Sequence, residues 1–184
     1  MELTETTLQS TPQYHGVIVD VRTDEVRLPD GNSAMREVVS HPGGVAVLPL
    51  TADGNVLMVR QYRYPVGDVL LEVPAGKLEP GEDPRPAALR ELEEEVGVIP
   101  DSLVELGSLY VSPGISTEVI HLYLATDLKK GTCHPDEGEF LDILSVPFSK
   151  LLDLALYGTL NDAKTAALVM KTALLLKRQE ELHP

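Results

Sequence analysis

Carboxylate side chains are concentrated in one short stretch of the sequence, residues 76–98. The stretch holds three basic and seven acidic residues, a local net charge of −4. At about 100° of rotation per helical residue, Glu91, Glu94 and Glu95 would share one helix face, where like charges repel. Arg90 can pair with Glu94 one turn later, and we expect no cation beside the other two. A hard divalent cation bound by carboxylate oxygens would remove this repulsion.

A single helix is predicted to carry these carboxylates, over residues 84–96. Asp83 can cap its start, Pro84 suits the first helical position, and Gly97 can end it in the left-handed conformation. An acidic helix in ordinary surroundings is a solvated face. Here a glycine-containing loop precedes the helix, and a glycine ends it. This arrangement favours a metal-binding site formed jointly by the loop and the carboxylate face of the helix.

The remaining sequence predicts strands before and after this helix, and two helices at the end. The turn residues at 29–31 predict an N-terminal antiparallel hairpin, and those at 52–54 a second hairpin. Predicted strands cover 14–28, 35–39, 45–50, 56–59, 69–73, 104–111, 118–125 and 140–146, and the last helices cover 149–157 and 163–182. This order favours one core with a mixed sheet packed against helices over an alternating parallel fold.

The residues from Gly76 to Val98 resemble the Nudix box: Gly, five residues, Glu, seven residues, then Arg-Glu-aliphatic-any-Glu-Glu-any-Gly-aliphatic. Every specified position is filled. The resemblance implies the Nudix fold, an α+β fold of the α/β/α sandwich type, with an N-terminal antiparallel β-hairpin as an extension. It predicts an N-terminal β extension over 1–40, for dimerisation and substrate contacts, and a Nudix hydrolase domain over 41–184.

The Nudix resemblance also implies a Mg²⁺-dependent pyrophosphohydrolase, with Mn²⁺ as the alternative cation and two or more ions per site. The implied metal ligands are Ala75 through its carbonyl, Glu91, Glu94, Glu95 and Glu139. Glu95, Arg90 and Glu137 are the implied catalytic residues, with Glu137 as the general base. A solvated acidic loop is the alternative for residues 136–139. Glu82 is expected to support the loop before the helix.

Segments outside the box resemble the ADP-ribose pyrophosphatase branch of the family. Pro113 lies 16 residues beyond Gly97, a distance associated with ADP-ribose specificity in the family. The substrate-binding residues implied by the resemblance are Arg36, Glu37, Arg63, Lys77, Ser112, Gly114 and Glu118. Two ordinary alternatives stay open: an exposed strand pair at 36–37 and a Pro-Gly turn at 113–114. Residues 162–165, Asp-Ala-Lys-Thr, also resemble the branch, and no role is predicted for them.

The predicted function is therefore Mg²⁺-dependent hydrolysis of the pyrophosphate bond of ADP-ribose, to AMP and ribose 5-phosphate. One alternative is hydrolysis of another nucleoside diphosphate sugar, such as GDP-mannose, or of a dinucleotide. A second is a non-catalytic, ADP-ribose-sensing Nudix-like domain, although such domains commonly lose box carboxylates. Because the sequence has no Trp, adenine stacking would need Tyr62, another tyrosine or an aliphatic surface.

Composition limits the partners and the location. The 184 residues carry a net charge of −14, which disfavours nucleic-acid binding and anionic membranes. Cys133 is the only cysteine, the N-terminal segment lacks a signal-peptide pattern, and no apolar run is long enough to span a membrane. We therefore expect a soluble cytoplasmic enzyme. The small hairpin, and the family's use of Arg36 and Glu37 across a dimer interface, predict an intertwined homodimer.

Overall fold

The computed structural model describes residues 2–135 and 138–182, which form two compact units. One unit contains the chain up to Gly43 together with Tyr110–Val119, and the other contains Gly44–Leu109 and the chain from Ile120 onward. The predicted division between residues 40 and 41 is close to the first of these boundaries. The grouping of residues 110–119 with the N-terminal strands was not predicted.

The first unit is built on an antiparallel sheet in the order β1-β2-β3. Its strands are β1 (Thr6–His15), β2 (Asp20–Arg27) and β3 (Ser33–Ser40). Strands β2 and β3 form the predicted N-terminal hairpin. Strand β1 was not predicted before Tyr14, because its polar residues show no apolar alternation, and all ten of its residues are exposed. Val39 N–H donates to Ile115 O at 2.7 Å, and Thr117 N–H donates to Val39 O at 3.0 Å, so residues 110–119 are joined to β3.

The second unit carries the remaining strands and the helices. In chain order these are β4 (Gly44–Pro49), β5 (Asn55–Arg63), β6 (Asp68–Glu72), β7 (Ala75–Lys77), α1 (Pro84–Val96), β8 (Val98–Tyr110), β9 (Val119–Lys130), β10 (Leu141–Pro147), α2 (Phe148–Leu156) and α3 (Ala163–Leu182). The bounds of α1 and α3 are those predicted, and α2 is shifted by one residue. Among the described residues, no helix has the length and apolar character needed to cross a bilayer.

A mixed sheet lies at the centre of the second unit, in the order β7-β4-β9-β8. Strand β4 pairs with β9 in parallel and with β7 antiparallel. Its side chains alternate between two apolar cores: Val45 and Val47 pack in the core that contains α1, whereas Ala46 and Leu48 pack in the core that contains α2 and α3. Helices therefore cover both faces of the sheet, which confirms the predicted α/β/α arrangement. Strands β10-β5-β6 form a separate antiparallel sheet.

Helix α1 begins and ends as its sequence signals predict. The Asp83 carboxylate accepts a hydrogen bond from the backbone N–H of Arg85 at 2.8 Å. Gly97 ends the helix with a φ of 65°, in the left-handed region where a side chain would be strained, and its N–H donates to Glu93 O at 2.9 Å. The apolar side of α1 is buried beside β4, and this fixes the direction in which its carboxylates face.

Candidate functional site

Glu95 is a buried carboxylate in the last turn of α1, with only 3% of its surface exposed. Its Oε2 accepts the backbone N–H of Ala75 at 3.0 Å. Burial raises the pKa of Glu95 to about 8 despite this hydrogen bond, and the negative charges of Glu91 and Glu139 add to the shift. Without a cation, the carboxyl group therefore holds a proton at neutral pH.

Gly76, the first residue of the box, lies directly against Glu91. A Cβ at position 76 would overlap the Glu91 carboxylate. A side chain at position 76 would therefore displace the Glu91 carboxylate from its present position, whereas glycine lets the backbone lie against it. Burial raises the pKa of Glu91, the Arg90 charge and hydrogen bond oppose this shift, and the Glu94 and Glu139 charges add to it.

Arg90 connects three carboxylates of the loop and helix. Its guanidinium lies 2.8 Å from Glu91 Oε1, 3.0 Å from Glu94 Oε2 and 3.2 Å from Glu82 Oε2. The predicted pairing with Glu94 is confirmed. The expectation that Glu91 has no neighbouring cation is wrong, because the Arg90 side chain reaches Glu91 on the next residue as well as Glu94 on the next turn. Arg90 thus shares its positive charge among three carboxylates instead of neutralising one of them.

Glu82 belongs to the loop before α1. Its Oε2 accepts the backbone N–H of Glu79 at 2.9 Å. The hydrogen bond from Glu79 is the main cause of a lowered pKa at Glu82, and the Arg90 hydrogen bond adds to it. The interpretation of Glu82 as a support for the loop is therefore consistent with its contacts.

The donor atoms at this site, carboxylate and carbonyl oxygens, are those that a divalent cation prefers. Within residues 2–135 and 138–182, no group of three or more Asp, Glu, His or Cys side chains has the arrangement of a metal site. Two predicted ligands, Glu91 and Glu94, are turned toward Arg90. Burial raises the pKa of the Glu91 and Glu95 carboxyls and the negative charge of Glu139 adds to both shifts, so a bound cation would offset the cost of ionising them.

A segment that we call the strap, residues 131–134, crosses the C-terminal end of α1. Gly131 N–H donates to Gly97 O at 2.8 Å, and His134 N–H donates to Glu94 O at 2.9 Å. Thr132 N–H donates to Glu93 Oε1 at 3.3 Å. The bonds from Gly131 and His134 satisfy carbonyl groups that the helix end leaves free. The strap runs directly into the acidic segment that contains Glu139.

The acidic segment is described only in part. Glu137, the predicted general base, lies outside the described residues. Glu139 is exposed and lines an open cavity of about 500 Å³. Tyr62 and Phe140, both exposed aromatic residues, line the same cavity. Its rim also carries Arg60, which pairs with Asp142 at 2.7 Å.

Arg63, the predicted phosphate-binding residue, is held by a buried glutamate. Its Nε and Nη2 donate to Glu72 Oε1 and Oε2, each at 2.7 Å, so the pair is bidentate. The Arg63 side chain is 39% exposed, and that of Glu72 is 1% exposed. The bonds use two of the five guanidinium N–H donors. Arg63 therefore retains donors for an anionic ligand.

Five predicted substrate-binding residues lie in the first unit. They are Arg36, Glu37, Ser112, Gly114 and Glu118. The backbone bonds between β3 and residues 110–119 bring the two groups of candidates into one sheet region. Arg36 forms a bidentate pair with Glu5, at 2.9 and 2.6 Å, and Glu118 lies 3.7 Å from His41. Lys77 lies in the second unit, exposed at the end of β7.

A family model described as the NUDIX domain matches residues 40–169. The chain belongs to the Nudix family. Residues 5–39 of this Nudix chain match a second family model, described as the nucleoside diphosphate sugar hydrolase N-terminal domain.

Two relatives of this Nudix chain are almost equally similar to it but have different names. An ADP-ribose pyrophosphatase of Bacillus subtilis (strain 168) is 40% identical over 166 residues, 89% of this chain and 90% of its own. A methanol dehydrogenase activator of Bacillus methanolicus is 41% identical over 167 residues, 90% of each chain. A crystal structure described as an ADP compounds hydrolase matches with a TM-score of 0.85 at 24% identity, over 97% of this chain and 98% of that one. This structural match supports the fold.

Two residues of the Nudix site were missed in the sequence. Glu72 lies inside the apolar run Val69–Val73, and a single charge in such a run is a signal of a buried ion pair. Glu93 occupies the unspecified position of the box, and only its contact with Thr132 gives it a role. No sequence pattern indicates that contact, because the partner lies 39 residues away.

Proposed function

We propose that this protein is a divalent-cation-dependent hydrolase that splits the pyrophosphate of ADP-ribose into AMP and ribose 5-phosphate. The observation that carries the proposal is the buried carboxyl of Glu95, whose pKa is raised to about 8 beside Glu91 and Glu139. A buried carboxyl whose ionised form has no cation partner, within a complete Nudix box, fits a cation-binding catalytic site. The similarity to an ADP-ribose pyrophosphatase over most of both chains supports the substrate.

The proposed cation ligands are the Ala75 carbonyl and the carboxylates of Glu91, Glu94, Glu95 and Glu139. Two or more Mg²⁺ ions, or Mn²⁺ as the alternative, would offset the charge of the pyrophosphate and acidify the attacking water. Arg90 holds the Glu91 and Glu94 carboxylates in place through its ion pairs. Arg63 and Lys77 bind substrate phosphates, and Glu137 accepts the proton of the attacking water.

The N-terminal extension, residues 1–40, is proposed to form a homodimer and to supply substrate contacts to the domain of residues 41–184. Its support is β1, an edge strand with every residue exposed, including Leu8 and Tyr14. An exposed edge strand of this length favours pairing with another chain. Arg36, Glu37, Ser112, Gly114 and Glu118 remain the proposed substrate-binding residues of this unit. A cytoplasmic location stays a prediction.

A substrate panel tests the proposed function. ADP-ribose, GDP-mannose, other nucleoside diphosphate sugars and dinucleotides would be assayed with Mg²⁺ and with EDTA, and the released nucleoside monophosphate measured. We expect the highest kcat/KM for ADP-ribose and no turnover in EDTA. A tenfold preference for another compound would replace the substrate, and metal-free turnover would remove the mechanism. ADP-ribose binding without AMP release would support the sensing alternative.

A second candidate function, activation of a dehydrogenase, comes from the relative named a methanol dehydrogenase activator. Sequence identity does not separate it from hydrolysis, because the two relatives are equally similar. The test adds wild-type protein or its Glu95→Gln variant to an alcohol dehydrogenase and records the initial rate. Stimulation by wild type alone would tie activation to the Nudix site, and no stimulation would exclude this role for the dehydrogenase tested.

A further inference from the structure

Four charged side chains of alternating sign form a chain of contacts at the start of α3. Asp162, Lys164, Glu72 and Arg63 follow one another in that order. Lys164 Nζ donates to Glu72 Oε2 at 2.5 Å and to Asp162 Oδ1 at 2.9 Å. Arg63 holds the other side of Glu72. Glu72 is fully buried, and Lys164 and Asp162 are 12% and 15% exposed.

Asp162 fixes Lys164 to the helix itself. Its Oδ2 accepts the backbone N–H of Thr165 at 3.0 Å and the Thr165 hydroxyl at 2.5 Å, so it caps α3 while its Oδ1 holds Lys164. One carboxylate therefore sets both the start of the helix and the position of the ammonium group. A flexible lysine is converted by these contacts into a fixed point charge.

Helix α3 also holds the backbone beside Glu72. The backbone N–H of Val73 donates to the Thr165 hydroxyl oxygen at 3.0 Å, in a buried environment. Two successive residues of α3, Lys164 and Thr165, thus bind two successive residues, Glu72 and Val73, at and just after the end of β6. Two residues further on, the N–H of Ala75 donates to Glu95. The start of α3 is therefore connected by short, directional contacts to the beginning of the box.

The charges in this series of contacts determine how many donors the Arg63 guanidinium keeps for a ligand. A buried carboxylate is costly unless cations and hydrogen bonds compensate it fully. Lys164 supplies one of the two cations at Glu72, so that Arg63 can satisfy Glu72 with two donors and keep the rest. Without Lys164, Arg63 would be the sole cation within this chain of contacts, and its guanidinium would be drawn further toward Glu72.

We propose that Lys164, fixed by Asp162, is a positioning residue that sets how the Arg63 guanidinium meets an anionic ligand. The inference rests on the proposed function in one respect, the role of Arg63 in binding substrate phosphates. It gives the Asp-Ala-Lys-Thr segment a task in substrate binding. The competing explanation is a purely structural clamp between α3 and β6.

A double-mutant cycle separates the two explanations. The variants are Lys164→Gln, Arg63→Lys, which keeps the charge at Glu72 but loses the planar fork, and the double variant. We expect Lys164→Gln to lower kcat/KM for ADP-ribose by about tenfold, mainly through KM, and to have little further effect in the Arg63→Lys background. Lys164→Arg, which keeps the cation, is expected to retain most of the activity.

Lys171 provides the matched control on the same helix. Its Nζ donates to Leu106 O at 2.9 Å, outside the chain of charges. Lys171→Gln is expected to lower the melting temperature without changing kcat/KM. Equal losses of kcat/KM in Lys164→Gln and Lys171→Gln, or additive effects of the Lys164 and Arg63 changes, would overturn the inference.

A second variant covers the case in which Lys164→Gln does not fold. Asp162→Asn keeps a good helix cap but removes the charge that fixes Lys164, and we expect a threefold to fivefold rise in KM. An unchanged KM in Asp162→Asn would count against the inference. The cycle would also be measured as the Kd for ADP in Mg²⁺. A wild type that binds ADP but does not hydrolyse ADP-ribose would refute the proposed function and still test the positioning role, and absence of both would refute both.

Discussion

Two glutamates of the same compact unit are almost equally buried and yet differ in pKa. Glu72 is fully buried at the end of β6, and Glu95 is 3% exposed in the last turn of α1. Burial, the largest single effect on Glu72, raises its pKa, but the Arg63 hydrogen bond and the Lys164 charge outweigh burial and hold the pKa below its usual value. Burial raises the pKa of Glu95 to about 8.

The difference lies in the partners that the fold supplies. Arg63 and Lys164 meet Glu72 with charge-assisted bonds, whereas the hydrogen bond to Glu95 comes from the uncharged backbone N–H of Ala75. A buried carboxylate that already has cations is part of the scaffold. A buried carboxylate without such compensation costs stability, and it fits a site where a bound cation completes the charge balance. The comparison therefore separates a supporting glutamate from a functional one.

The largest expected effect is on turnover. Glu95→Gln should lower kcat for ADP-ribose by about a thousandfold or more, because it removes a proposed cation ligand while keeping the shape of the side chain. The measurement is steady-state kinetics at saturating Mg²⁺, with Mn²⁺ binding followed by electron paramagnetic resonance. Near-normal turnover with unchanged Mn²⁺ affinity would remove Glu95 from the cation site.

Glu72→Gln should act mainly on stability. It leaves Arg63 and Lys164 without their carboxylate, and we expect a loss of about 2 to 3 kcal/mol in the free energy of unfolding, less than for a fully buried pair because Arg63 is partly exposed. Urea denaturation in EDTA measures it. Glu95→Gln in the same buffer is the control and should raise stability at pH 7, because Gln, unlike Glu95, has no proton to take up on folding. A larger loss for Glu95→Gln would reverse the assignment of the two roles.

Glu95 and Glu72 should also make the stability of the metal-free protein depend on pH, in opposite directions. The pKa of Glu95 rises from an ordinary value of 4.5 to about 8, so its contribution is present below pH 4.5 and is lost as the pH rises through 8. This contribution amounts to at most roughly 5 kcal/mol, at about 1.4 kcal/mol for each unit of pKa shift. The pKa of Glu72 is lowered from 4.5, so its contribution is present above that value and is lost as the pH falls through the lowered pKa.

Urea titrations of the metal-free protein between pH 3 and 9 measure both effects. Glu95→Gln should remove the fall in stability between about pH 4.5 and 8, and Glu72→Gln should weaken the loss of stability at lower pH. An unchanged fall between these pH values in Glu95→Gln would show that another group produces it.

Local sequence signals predicted the parts of the site that depend on nearby residues. The bounds of α1, its Asp83 cap, the left-handed Gly97 and the Arg90–Glu94 pair all arise within one helix, where spacing determines contact. Strand β1 was missed because its residues are polar and exposed, so that no core imposes a pattern on them. Its strand conformation comes from backbone pairing with β2.

Contacts between distant segments could not be predicted from sequence spacing. Lys164 reaches Glu72 across 92 positions. Thr132 reaches Glu93 across 39 positions. Burial and ion pairing at Glu72 depend on where α3 packs, which is decided by the apolar core and not by the local sequence. The roles of the metal-face residues themselves stay predictions.

The smallest expected effect concerns the strap and tests whether α1 also orders the acidic segment. Glu93 Oε1 accepts the Thr132 N–H at 3.3 Å, a long and therefore weak bond, and a Cβ at Gly131 would approach the same oxygen at 2.9 Å. Glu93→Ala should lower kcat by about threefold to tenfold with little change in KM, because the strap leads to Glu139 and not to the phosphate-binding Arg63.

Glu93→Gln keeps an oxygen acceptor for the Thr132 N–H and should retain activity within about twofold. Glu181→Ala, on the exposed end of α3, is the control for loss of one surface charge. If Gln and Ala at position 93 lower kcat equally, the charge of Glu93 matters and the hydrogen bond does not, and the helix would then influence the acidic segment through its field alone. If only Ala lowers kcat, the last turn of α1 holds Glu95 with one residue and orders the segment of Glu139 with another, so that one helix aligns both sides of the proposed cation site.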